Sequence, residues 1–210
     1  MFIDIVIITL LFSLFALSHS ILASSKTKHL LVEKIGKKIA FYRLFYNISS
    51  LFLFYFIYTI SPKPNAVIYD LQFPFDIMIF VVQIFAIFGF IWGVSKINLL
   101  EFFGIAQINR YMENNYNPDE LDEKMELVIE GPFRYSRHPI YLFSILFLVF
   151  RPTMDLFYLV FLINMLVYFY VGSYFEEKKM VDFFGNQYSD YQRTVSRLFP
   201  IKFSRLNKYR

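Results

Sequence analysis

The sequence predicts an all-α polytopic membrane protein with about five transmembrane helices. Three observations carry that reading. Apolar residues make up 57% of the 210 positions, with 28 Phe and 16 Tyr. Mean hydropathy is +0.45, above ordinary soluble usage. The apolar residues also fall in runs close to the roughly 20 needed to cross a bilayer.

The first run, Phe2 to Ala23, has the length of one span. A signal peptide would carry basic residues before its apolar core; here the basic residues follow it. Residues 24–43 form a basic loop with Lys26, Lys28, Lys34, Lys37, Lys38 and Arg43 against Glu33. The second span runs from about Ala40 to Ile60 and ends at Ser61-Pro62-Lys63-Pro64, where two prolines stop a helix. Asn65 to Pro74 reads as a nearly neutral loop. The third span, about Phe75 to Leu99, carries Gly89 and Gly93 four apart, a spacing that lets helices approach closely.

The segment from Lys96 to His138 is polar, with a turn at Asn114 to Pro118 and an acidic stretch, Asp119 to Glu130, able to form a short surface helix. The fourth apolar run, Pro139 to Phe150, is only about 18 Å long as a helix, short of a bilayer core of about 30 Å. Arg151-Pro152-Thr153 interrupts it before the fifth run, Asp155 to Phe175. These two runs are expected to form a helical hairpin whose first arm is short, tilted or continued past a Pro152 kink. The tail from Glu176 is amphipathic and basic. The chain thus divides into an N-terminal three-helix membrane region, 1–100, and a C-terminal core, 101–210.

Lys and Arg concentrate in the 24–43 loop and the tail. The positive-inside rule puts both in the cytoplasm and the N-terminus outside. The net charge of +4 is modest and sets topology; a nucleic-acid partner is not expected. With no Cys in the chain, zinc-thiolate sites and cysteine nucleophiles are excluded, and no metal is expected. A transporter is disfavoured by the absence of an internal repeat and the scarcity of intramembrane charge.

The chemistry concentrates in two places on that one side. The first is Gly131-Pro132-Phe133-Arg134-Tyr135-Ser136-Arg137-His138-Pro139-Ile140-Tyr141. Pro139 suits a first helical turn, and the exposed N–H groups there can hold an anion such as a carboxylate. Arg134 and Arg137 add planar cationic donors. Gly131-Pro132 permits a tight turn, and Tyr135 and Tyr141 supply rings for a base or a cation. The second is Glu176-Glu177, where a carboxylate can hold hydroxyls, attract a cation or take a proton. His19 and Asn164, inside spans, are read as helix–helix hydrogen-bonding residues. Glu101 could face the site, though nothing in the sequence forces it.

These residues, with Phe184-Gly185, Tyr188 and Tyr191, resemble in order the isoprenylcysteine carboxyl methyltransferase superfamily of integral membrane methyltransferases, over roughly residues 128–200. His19-Ser20-Ile21-Leu22-Ala23-Ser24 and Tyr42-Arg43-Leu44-Phe45-Tyr46-Asn47 look more like its bacterial methanethiol S-methyltransferase and NnrU-like branch. The resemblance implies S-adenosylmethionine as methyl donor, in a cytoplasmic helical pocket of the C-terminal half, and a small or lipophilic acceptor reached from the bilayer. A thiol is favoured; a prenylcysteine-type carboxylate or a phospholipid amine is possible. Gly131, Pro132, Tyr135, Arg137, His138, Pro139, Tyr141 and Glu177 would contact the cofactor. Arg137, Glu176 and Glu177 would serve the chemistry, with Glu176 or Glu177 as base. The implied location is the inner membrane of a prokaryote. Three departures stand out: Val195-Ser196 for Val-Pro, Phe133 for Tyr, and Gly172 where prenylcysteine enzymes carry Arg. The alternative is a non-catalytic NnrU-like protein assisting assembly of a redox enzyme.

Overall fold

The computed structural model describes residues 1–118 and 126–201. It is mostly helical. Helices α1 (Phe2–Ala23), α2 (Ser25–Ile35), α3 (Tyr42–Ile60), α4 (Phe75–Val94), α5 (Leu99–Phe103), α6 (Ile105–Met112), α7 (Pro139–Val149), α8 (Leu156–Phe184) and α9 (Asn186–Thr194) follow in order. Among the described residues, four stretches are long and apolar enough to cross a membrane: α1, the run Ser25–Ile60, α4 and α8. An integral membrane protein is the consequence.

Five full-length spans are not present among the described residues. Helix α7 has 11 residues, about 16 Å at 1.5 Å each. It does not continue past Pro152. The chain leaves the helix at Phe150 and enters a strand, β2 (Thr153–Asp155), that pairs antiparallel with β1 (Val67–Asp70). The fold is therefore not purely α. The sheet has a plain cause. Pro62, Pro64 and Pro152 bar helix locally, which leaves their neighbours' backbone groups to be satisfied across the gap. Leu71 N–H donates to Pro152 O and Leu156 N–H to Ala66 O. Thr153 Oγ1 donates to Asp70 Oδ1 at 2.6 Å. The two segments read from sequence as a loop and an interruption are each other's partners.

The basic 24–43 segment is also not a loop. Ser24 Oγ accepts from Thr27 N–H and caps α2, and a 3₁₀ turn over Gly36–Phe41 leads into α3. Leu31 and Val32 pack on Ile39, Ala40 and Tyr116. The acidic stretch lies outside the described residues for 119–125; residues 126–130 are not helical.

Contacts divide the chain into two compact units. One contains α1, α2, α3, α5 and α6; the other contains β1, α4, α7, β2, α8 and α9. In the first, His19 joins α1 to α3, with Nε2 against the Tyr46 hydroxyl at 2.5 Å and Nδ1 against Ser50 Oγ at 3.0 Å. Arg43 Nε and Asn47 Nδ2 both donate to Phe102 O at the end of α5. Glu101 is buried and paired with Arg110. Its carboxylate is engaged inside this unit.

In the second unit α4 and α7 run antiparallel in close contact. A Cβ on Gly89 would overlap the Phe143 ring, and one on Gly93 would lie 3.0 Å from Ile140 Cγ1. The four-residue glycine spacing therefore does what it predicts. Asn164 does not bridge helices; its Nδ2 donates to Val160 O one turn earlier in α8. The sheet sits at one end of α4, α7 and α8, and the polar motif sits at the other.

Candidate active site

Gly131 opens the polar motif with φ +59, a backbone that favours glycine. The 3₁₀ turn Gly131–Arg134 follows, with Pro132 buried. It is pinned from α9: the Tyr191 hydroxyl donates to Phe133 O at 2.5 Å. Tyr188 and Tyr191 pack with Leu127, Met180, Val181 and Phe184. Burial pushes both phenols up, so their hydroxyls stay protonated donors.

The next residues lie alongside the segment that follows α9. Ser136 and Ser196 form a parallel bridge. Arg137 N–H donates to Ser196 O at 2.9 Å and His138 N–H to Arg197 O at 3.1 Å. Ser136 Oγ donates to Arg197 O. Pro139 then starts α7 at N1, with His138 as N-cap.

This frame brings four of the expected residues together. Arg137 Nε and Nη2 each approach Glu177 Oε1 at 2.7 Å, while Nη1 donates to Gln192 O at 3.0 Å and also to Val195 O. Glu177 Oε2 accepts from Gln192 Nε2 at 3.0 Å and Arg197 Nε at 3.3 Å. Both oxygens of this buried carboxylate are thus engaged. His138 lies between the two glutamates, with Nδ1 3.2 Å from Glu176 Oε2 and Nε2 3.3 Å from Glu177 Oε1. Burial disfavours the charged imidazole, but the two carboxylates outweigh it and raise its pKa above the ordinary 6.5. The buried Nε2 makes no hydrogen bond of good geometry; its 3.3 Å contact is one of charge.

Glu176 differs from its neighbour. Its side chain is 54% exposed and accepts from the Tyr141 hydroxyl at 2.6 Å. Tyr141 stacks on His138, with ring planes 9° apart, and touches Phe169. Tyr135 is 53% exposed beside Trp92, and Arg134 is exposed. Neither joins the Glu177 cluster. Pro132 and Pro139 are buried and shape the backbone; they do not face an opening.

Arg197 and Gln192 were missed from the sequence. Arg197 sits between Glu177 and the rings of Tyr170 and Tyr174, 5.7 and 5.8 Å from its guanidinium. The signal was available: tyrosines four apart on α8, preceding the glutamates, offer a seat for a cation.

This chain is 31% identical over 202 residues to methanethiol S-methyltransferase 1 of Bradyrhizobium diazoefficiens, covering 93% of this chain and 67% of that protein. The chain belongs to the methanethiol S-methyltransferase family. Its likeness to the methanethiol S-methyltransferase of Mycobacterium tuberculosis is 29% over 204 residues, 93% of this chain and 78% of that protein. Against that of Crocosphaera subtropica it is 27% over 198 residues, 90% and 72%. No protein-family model matches the chain, and no solved structure does. Each of these family likenesses extends over most of the chain. None is confined to the polar motif and its glutamates.

Proposed function

We propose that this protein is an integral membrane methyltransferase that moves a methyl group from S-adenosylmethionine to a small thiol, with its site facing the cytoplasm. The observation that carries the reading is the Arg137–His138–Glu176–Glu177 constellation in a chain of this family. The residues fit such a donor. Its amino-acid carboxylate suits the exposed Arg134 and the N–H groups opening α7. Its adenine suits the exposed faces of Tyr135 and Trp92.

When bound, S-adenosylmethionine would supply a sulfonium methyl; the thiol sulfur forms one C–S bond as another breaks, and a neutral thioether leaves. Positioning of the partners supplies most of the rate in such a displacement. The thiol proton has to leave, and Glu176 is the better acceptor of it. Its carboxylate is open, and Tyr141 and His138 fix its orientation. Glu177 is unsuited, because Arg137, Arg197 and Gln192 hold both oxygens. It acts as the anchor that joins α7, α8 and the segment after α9.

The orientation rests on charge. Lys26 to Lys38 and Lys178-Lys179 lie on the cytoplasmic side under the positive-inside rule. Helix α8 has 29 residues, about 43 Å, so its last turns, with Glu176 and Glu177, extend past a core of about 30 Å. Helix α7 and the extended residues after it make the fifth crossing, returning through the β1–β2 pair at the outer surface. The test is dimethyl sulfide formation by the protein in nanodiscs supplied with S-adenosylmethionine and methanethiol. Production that requires both substrates supports the reading. A folded protein that forms none, with any thiol offered, overturns it.

A further inference from the structure

Six of the seven glycines have a visible reason. Gly36, Gly104, Gly131 and Gly185 adopt positive φ, and Gly89 and Gly93 lie against Phe143 and Ile140. Gly172 has neither reason. It lies inside α8, where glycine is the least suited residue after proline. A Cβ there would meet nothing within 4 Å. Helix stability and packing would both accept alanine, so the protein's own structure does not explain this glycine.

Its place suggests what does. Gly172 is partly buried, one turn before Glu176 and three residues after Phe169, on the α8 face that meets Tyr141. Tyr141 touches both of those flanking residues: its ring lies 5.0 Å from the Phe169 ring and its hydroxyl 2.6 Å from Glu176 Oε1. The Tyr141 ring therefore spans the turn that contains Gly172 without filling the space above it. What remains beside Gly172 is open space over bare backbone, with Phe169, Tyr141 and the exposed Glu176 carboxylate as its neighbours on that face.

We propose that Gly172 is a specificity-determining residue: its missing side chain leaves the space in which a small thiol acceptor sits with its S–H toward Glu176. This rests on the methyl-transfer reading above. A side chain at 172 would occupy the acceptor's volume and leave Arg137, His138 and Glu177 untouched.

The experiment compares wild type, Gly172→Ala and Gly172→Leu in nanodiscs. Thermal melting, binding of S-adenosylhomocysteine, and KM and kcat with methanethiol and 1-butanethiol are measured for each. Alanine is the variant whose folding is not at stake. Differences of a methylene in an apolar pocket discriminate about 10–200-fold. The KM for methanethiol should therefore rise about tenfold in Gly172→Leu, and butanethiol should suffer more than methanethiol even in Gly172→Ala. Binding of S-adenosylhomocysteine should stay within about twofold of wild type, and Gly172→Ala should melt no lower. An unchanged KM in Gly172→Leu overturns the proposal, and so does a parallel loss of S-adenosylhomocysteine binding. A wild-type protein inactive on both thiols fails for a different reason: the methyl-transfer reading itself falls, and the role of Gly172 with it.

Discussion

Arg137 Nε donates to Glu177 Oε1 at 2.7 Å, joining residues 40 apart in the chain, and each side chain is less than 10% exposed. This pair ties the residue before the α7 cap to the last turns of α8. Taking two charges out of water is costly, and breaking such a pair by removing one member costs about 3–5 kcal/mol. Arg137→Ala should therefore lower stability by that order and abolish S-adenosylhomocysteine binding. Arg197→Ala should cost less, because Arg197 is 29% exposed and water partly replaces it. Denaturation of both variants in the same detergent checks the ranking.

Glu176→Gln keeps the shape of the side chain and its bond from Tyr141 but removes the charge. A positioned general base contributes about 10²–10⁴-fold. The variant should lose kcat with a thiol acceptor by a factor in that range while still folding and binding S-adenosylhomocysteine. An intact kcat would remove Glu176 from the proton step.

The pH dependence of stability follows from His138. Its folded pKa is raised by Glu176 and Glu177 against the opposing effect of burial, with Arg137 also nearby. A raised pKa means that the protonated ring is favoured in the folded state. The stabilisation is fully present below 6.5 and is lost as pH rises through the folded value. Melting temperature should fall over that interval in wild type, and the fall should flatten in His138→Gln.

Gly89→Ala tests the packing of α4 on α7. The added methyl would overlap the Phe143 ring, and overpacking of this kind costs about 1–3 kcal/mol. Gly89→Ala should melt lower than wild type, the opposite of the outcome at Gly172, where the same change meets open space.

What was legible in the sequence divides along physical lines. Arg137, His138, Glu176 and Glu177 stood out because polar residues at the ends of apolar helices are sparse, and topology places them on one side. Gly89 and Gly93 announced a close helix contact by spacing alone. Arg197 was hidden in a tail with many cations, where only three-dimensional proximity to Glu177 sets it apart. The strands were hidden for a different reason. Four and three residues beside prolines carry no periodicity, and their pairing spans more than 80 residues. The basic residues of α2 read as loop because dense charge masks a short helix, whose only local signals are the cap at Ser24 and the apolar face of Leu31 and Val32.

The proposed site for S-adenosylmethionine is built on the cluster around Glu177 and His138. Calorimetric titration of the nanodisc-held protein with S-adenosylhomocysteine tests it most directly, beside His138→Ala and Glu177→Ala variants shown to be folded. Wild type should show saturable one-site binding, lost in both variants. Absence of binding by the folded wild-type protein, or unchanged binding in both variants, would contradict it.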